Sequence, residues 1–141
     1  MLADYADGQK KEIERIRALE VLKSGGVLTV NVFTGKTESD VEDLFEPSLF
    51  VEVINGAYGL TAGDKLTEAK LEKADTTTPR LVKKAEAYFR TFAPASAGNF
   101  DHYAPAEWLM LNPKVLDGKS AEISTTLDRA EKLIAALNAL L

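Results

Sequence analysis

Apolar residues recur along this chain mostly at helical spacing, with one run that is typical of a β-strand. The pattern predicts a first helix over residues 9–23, followed by Gly25 and Gly26, which suit a left-handed helix end. Its apolar side consists of Ile13, Ile16, Leu19 and Leu22. Residues 27–33 are β-branched and apolar almost without interruption, which predicts a strand buried on both faces, as in a parallel sheet.

Two helices are predicted between residues 47 and 78. Pro47 suits the first turn of one helix, and Gly59 ends it. The apolar stripe of that helix is Leu49, Phe50, Val53, Ile54, Ala57 and Tyr58. Residues 67–73 carry a weaker helical pattern of one or two turns within a polar stretch.

The rest of the chain predicts three further helices. Thr78 suits the cap of one helix and Pro79 its first residue. Its buried side would be Leu81, Val82, Ala85, Tyr88, Phe89 and Phe92. A short helix runs through Trp108 and stops before Pro113, and the last helix begins at Ser124 or Thr125. The inner side of the last helix would be Leu127, Ala130, Leu133, Ile134, Leu137 and Leu140.

Together these elements predict one domain with a helix-rich α/β fold. A single buried strand leaves backbone N–H and C=O groups unpaired along both edges, so a neighbouring strand is needed. Leu2 and Ala3, directly before Asp4, are the residues that remain for such a strand.

Composition narrows the classes of function. The 141 residues are 45% hydrophobic and carry a net charge of −5, with no cysteine. Disulfides and thiolate metal sites are thereby excluded. No run is apolar and long enough to span a membrane, and no signal peptide opens the chain. The absence of cysteine suits a cytoplasmic protein, which is what we expect. The net negative charge disfavours a protein that simply coats nucleic acid. It does not disfavour a nuclease whose acidic residues hold metal ions.

Residues 40–47, which we call the acidic segment, carry four acids between the strand and the next helix. These are Asp40, Glu42, Asp43 and Glu46. They have two interpretations. Carboxylates can bind a divalent metal, and they are also favoured at a helix N-terminus, where each contributes roughly 0.3–1 kcal/mol when exposed. Asp43 fits the second role better, as a cap or surface acid.

Several motifs in chain order resemble the C-terminal part of a Toprim domain, in the version found in the OLD (overcoming lysogenisation defect) family of ATP-dependent endonucleases. They are Leu2-Ala3-Asp4-Tyr5 with Gly8, the run from Asp40 to Phe45, Val53-Ile54-Asn55, Ala57-Tyr58, Phe100-Asp101-His102 and residues 127–138. The resemblance implies a partial Toprim-like (Rossmann-like) parallel sheet in residues 1–60 and a C-terminal helical bundle in residues 61–141.

The resemblance also implies a site for Mg²⁺ or Mn²⁺ that supports DNA cleavage. Asp4, Asp7, Asp40 and Glu42 would be its metal-side acids, and His102 a catalytic group beside the scissile phosphate. Ala6 stands where the family has the second aspartate of a D-x-D motif, and the family's upstream glutamate has no counterpart. The chain has no P-loop sequence, so the ATPase domain would lie upstream or act in trans.

A second hypothesis is a non-catalytic helical module that kept the fold, lost the site and binds a partner or a second copy. Ala6 and the missing glutamate motivate it. Each candidate residue also has an ordinary structural interpretation: Asp4 and Asp7 as turn residues beside Gly8, and His102 as a loop hydrogen-bonding group. Trp108 fits a core residue better than a stacking surface for bases.

Overall fold

The computed structural model describes residues 2–18 and 26–140, and its sheet is a two-stranded parallel pair. Strand β1 (Leu2–Ala3) pairs with β2 (Leu28–Thr29), with Leu2 opposite Leu28 and Ala3 opposite Thr29. Helix α1 (Asp7–Ala18) follows β1. The fold is therefore helix-rich with a small parallel sheet, as the sequence predicts. Residues 19–23 of the predicted first helix lie outside the described residues.

The predicted strand over residues 27–33 is wrong beyond Thr29. The Val30 N–H still donates to the Ala3 carbonyl (3.2 Å), but the chain then turns into α2 (Asn31–Thr34), which ends at Gly35 with φ 71°. Strand β2 ends at Thr29 because its partner β1 ends at Ala3, opposite Thr29. Val32 is consequently 68% exposed, although its apolar neighbours predict burial.

The acidic segment forms a single 3₁₀ turn (Val41–Leu44) rather than the start of the following helix. The backbone is extended at Phe45 and Glu46, and α3 (Pro47–Ala57) then begins at the predicted proline. Leu49, Phe50, Val53 and Ile54 are buried as predicted. Gly59 follows with φ 60°, a conformation that favours glycine.

The next two helices differ in how well their starts are predicted. Helix α4 (Glu68–Ala74) begins after Thr67, whose hydroxyl accepts from the Lys70 N–H. Helix α5 begins at Leu81 and runs to Thr91, so the predicted start at Pro79 is wrong. The backbone at Arg80 is extended, because this residue and the one after it are held by acids from the acidic segment. Phe92 is 55% exposed, against its predicted burial.

The last elements are α6 (Tyr103–Leu111), which ends at Asn112 as predicted, and α7 (Ala121–Asn138). The start of α7 is earlier than predicted because the Ser120 hydroxyl caps it by accepting from the Ile123 N–H. The predicted inner side of α7 is also wrong in part. Leu133 is buried, whereas Leu127 and Ile134 are exposed, and Leu140 lies exposed beyond the end of the helix.

One hydrophobic cluster joins α3, α4 and α5. It includes Phe50 and Ile54 before residue 60, and Leu66, Leu71 and Tyr88 after it, so the two predicted parts share a core. Short 3₁₀ turns at Ala62–Asp64, Ala95–Ala97 and Pro113–Leu116 connect the helices. Among the described residues, no helix is both long and apolar enough to cross a membrane.

Helix α6 packs against α3 through an unusually close approach. The Trp108 indole lies directly over Gly56, and a Cβ atom at that glycine would overlap the ring. Glycine therefore permits the contact by its missing side chain rather than by its backbone freedom.

Candidate functional site

The site forms where the end of β1 meets the start of the acidic segment. Tyr5 and Ser39 exchange two backbone hydrogen bonds, N–H to O, of 2.8 and 2.9 Å. This antiparallel bridge brings Asp4, directly after β1, beside Asp40 and Val41. Carboxylates about 36 residues apart along the chain thereby come close together, as expected at the C-terminal edge of a parallel sheet.

Asp4 is a half-buried carboxylate in a negative environment. Burial raises its pKa from the ordinary 3.8, and the Asp40 charge raises that pKa further. The Val41 N–H donates to the Asp4 carboxylate, and this hydrogen bond together with the Arg80 charge opposes the shift. The effects that raise the pKa outweigh those that lower it. The ionised form of Asp4 is therefore less well stabilised here than in water.

Glu42 belongs to the same group of interacting acids. Burial is the main cause that raises its pKa, and the charges of Asp40 and Asp4 add to it. Its own backbone N–H and the nearby His102 act in the opposite direction. Asp4 and Glu42 are thus held near one another rather than on opposite sides of the molecule.

Asp40 is buried and already has a cationic partner. The Arg80 Nε–H donates to Asp40 Oδ2 (2.7 Å), and Nη2–H donates to Oδ1 (2.5 Å). This bidentate pair uses both carboxylate oxygens and fixes the guanidinium. The Asp40 hydrogen bond is also the main cause that raises the pKa of Arg80. Arg80 was missed by sequence reasoning because no local pattern links two residues 40 positions apart.

Asp43 is the structural acid of the segment and is fully buried. Its Oδ1 accepts from Lys36 Nζ (2.6 Å) and from the Leu81 N–H (3.0 Å), and its Oδ2 accepts from the Asp40 N–H (2.8 Å). Asp43 therefore caps two elements at once, its own 3₁₀ turn and the distant N-terminus of α5. The prediction that it acts as a cap is confirmed, and its exposure as a surface acid is excluded.

Asp7 and His102 have other partners. The Asp7 side chain is 87% exposed and pairs with Lys10 Nζ (2.7 Å), which lowers the pKa of this acid. His102 Nε2 lies 3.2 Å from Glu86 Oε1, and its ring meets Phe100 edge-on. His102 is still close enough to Glu42 for their charges to interact. The structure thus brings together Asp4, Asp40 and Glu42, with His102 at one side and Asp7 turned to solvent.

These residues fit a divalent cation only in part. Asp4 and Glu42 are carboxylates whose mutual repulsion a cation would relieve. Asp40 does not fit as it stands, because Arg80 occupies both of its oxygens. Across residues 2–18 and 26–140, no three His, Cys, Asp or Glu side chains are arranged to hold a metal ion.

The raised pKa values predict that neutral substitutes for these acids stabilise the protein at neutral pH. The folded state holds a proton on Asp4 or Glu42 more tightly than the unfolded chain does, so stability falls as the pH rises above the ordinary values of 3.8 and 4.5. Asp4→Asn and Glu42→Gln remove that loss. Urea denaturation should show both variants to be more stable than wild type near neutral pH and equal to it in acid.

Asp128→Asn is the control for this experiment, since Asp128 is an exposed acid on α7. It should unfold like wild type at every pH. A stabilisation of Asp4→Asn that stays constant from acid to neutral pH would contradict the electrostatic explanation.

Comparisons with protein-family models, with curated proteins and with solved structures returned no match to this chain.

Proposed function

We propose that this chain is the C-terminal part of a Toprim-like module of an OLD-type nuclease, which supports divalent-metal-dependent cleavage of DNA in a larger protein. One observation carries the proposal. Two carboxylates from separate segments, Asp4 and Glu42, lie together beside Asp40 where a parallel strand ends, and each has a raised pKa. Clustered acids with perturbed pKa values are typical of functional sites.

In this proposal Asp4 and Glu42 would hold Mg²⁺ or Mn²⁺, ions that prefer carboxylate oxygens. When bound, the ion supplies positive charge that stabilises a phosphodiester during hydrolysis. The exposed His102 ring contributes a hydrogen-bond donor toward a phosphate oxygen, since it lies on the Glu42 side of the site. Asp40 joins the ligands only if Arg80 releases it, and Asp7 has no role.

DNA and an ATPase domain, upstream or in trans, are the partners in the complete protein. The net charge of −5 argues that much of the positive surface for the DNA backbone comes from outside this chain. We therefore expect the isolated chain to bind metal weakly and to cleave little DNA.

Isothermal titration with Mn²⁺ tests the metal role. The wild-type chain should give saturable heat, which Asp4→Asn and Glu42→Gln each reduce. Glu107→Gln is the matched control, because it removes one exposed carboxylate from α6 outside the site. No heat above background from a folded wild-type sample would contradict the metal role.

The non-catalytic interaction module is the second candidate, and two observations favour it. Arg80 already neutralises Asp40. Large apolar residues also lie exposed on the last two helices, namely Tyr103, Met110, Leu111, Leu127 and Ile134. Light scattering on the same samples separates the candidates. A chain that gives no metal heat and grows in mass with concentration is the interaction module, and a strictly monomeric particle counts against self-association.

A further inference from the structure

A cavity of about 390 Å³ lies between the acidic segment and helices α3, α6 and α7. Phe50 and Val53 of α3 form one wall, Leu109 of α6 a second, and Leu127 of α7 a third. The volume falls within the roughly 300–1,000 Å³ that small-molecule sites occupy, and an apolar lining with few polar groups is typical of such sites.

Three polar side chains line this cavity, and two of them have partners elsewhere. The Thr126 hydroxyl accepts from the Glu46 N–H (2.9 Å), and His102 Nε2 lies against Glu86. The third is Glu42. Within residues 2–18 and 26–140, its carboxylate forms no ion pair with a Lys, Arg or His side chain.

The charge around Glu42 selects the kind of ligand. Asp4 and Asp40 place two further negative charges near Glu42, so an anionic group would be repelled. A neutral apolar molecule would bury the Glu42 carboxylate further without compensation. A cation at the same place gains an ion pair in a partly desolvated setting and relieves the repulsion among the acids.

We propose that this cavity binds a small amphiphilic cation, whose apolar body fills the space between α3, α6 and α7 and whose ammonium group pairs with the Glu42 carboxylate. The site goes beyond the proposed nuclease role and does not depend on a bound metal. Because a metal and an ammonium would both use Glu42, they should compete wherever the metal role also holds.

Calorimetric titration with three probes of one shape tests the proposal in metal-free buffer at neutral pH. Phenylbutylammonium, phenylbutanol and phenylbutyrate share an apolar body and differ in the charge of the head group. The ammonium should bind at least about tenfold more tightly than the alcohol, because it forms a hydrogen-bonded ion pair with Glu42. The carboxylate should bind most weakly of the three. Methyl NMR shifts should centre on Val53, Leu109 and Leu127, which line the cavity, and not on Leu71, which does not.

Glu42→Gln should remove the preference for the ammonium while the alcohol still binds, which also shows that the variant is folded. Glu107→Gln, which removes an exposed α6 carboxylate outside the lining, should keep the preference. Equal affinity for ammonium and alcohol, no binding of any probe, or shifts away from the cavity would each overturn the proposal. Concentration-dependent dimerisation that protects the same methyl groups would also overturn it, because the occupant would then be a second copy.

Discussion

Replacing Asp43 by alanine is expected to lower the free energy of unfolding by about 3–5 kcal/mol, the range for breaking a buried ion pair from one side. The fully buried carboxylate accepts from Lys36 and from the backbone N–H groups of Asp40 and Leu81. Alanine leaves the N–H groups of Asp40 and Leu81 without an acceptor, and each lost partner contributes roughly 1–3 kcal/mol. Lys36 loses its carboxylate partner and keeps only the Pro79 carbonyl. Since a domain is stable by only about 5–15 kcal/mol, this loss should leave the fold marginal.

Urea denaturation measures this effect as a lower midpoint. Asp128→Ala is the matched control, since it removes an exposed aspartate from α7 and should change stability by less than about 0.5 kcal/mol. If Asp43→Ala unfolds at the midpoint of that control, the hydrogen bonds of Asp43 do not hold the acidic segment and α5 together.

Gly56→Ala should destabilise the protein by about 1–3 kcal/mol, even though alanine is the better helix former. The new Cβ atom would overlap the Trp108 indole, so α6 has to shift away from α3. Trp108 is the only tryptophan, and its fluorescence therefore reports the shift directly. We expect a red-shifted emission and a lower urea midpoint.

Gly8→Ala is the matched control for Gly56→Ala. Gly8 also lies in a helix, α1, but a Cβ atom there meets open space. This variant should be neutral or stabilise the protein by about 0.4–1 kcal/mol. Gly56→Ala should also lower the free energy of unfolding by less in a Trp108→Leu background, because the rigid indole ring is absent there. A stabilised Gly56→Ala protein with unchanged emission would contradict the steric explanation.

The sequence predicts those elements whose signals are local. Pro47 and Gly59 bound α3 correctly, and the apolar stripe between them lies in the core. Thr67 caps α4, and Asn112 ends α6. In each case the residues that determine the boundary lie within one helical turn of it.

Two of the errors arise where the determining residue is distant in sequence. Strand β2 ends at Thr29 because β1 ends at Ala3, and nothing within residues 27–33 encodes where β1 ends. Helix α5 starts at Leu81 because Asp43 accepts its N–H from 38 positions away. A stronger local signal, Thr78-Pro79, therefore predicts the wrong start.

The contacts of the candidate site also differ in whether the sequence could predict them. That Asp4 would meet Glu42 was predictable from a strand end and an acidic loop at one edge of a sheet. That Arg80 would occupy Asp40 was not, because the pair depends on how α5 is placed against the acidic segment. The metal role of these acids stays a prediction.

The double capping by Asp43 has a dynamic consequence. The amide protons of Asp40 and Leu81 are held by the two oxygens of one carboxylate, so a motion that withdraws Asp43 exposes both amides to exchange with solvent at once. Through that motion, opening of the acidic segment is coupled to fraying of the first turn of α5. A molecule that straightens the segment and displaces Asp43 therefore also loosens the start of α5.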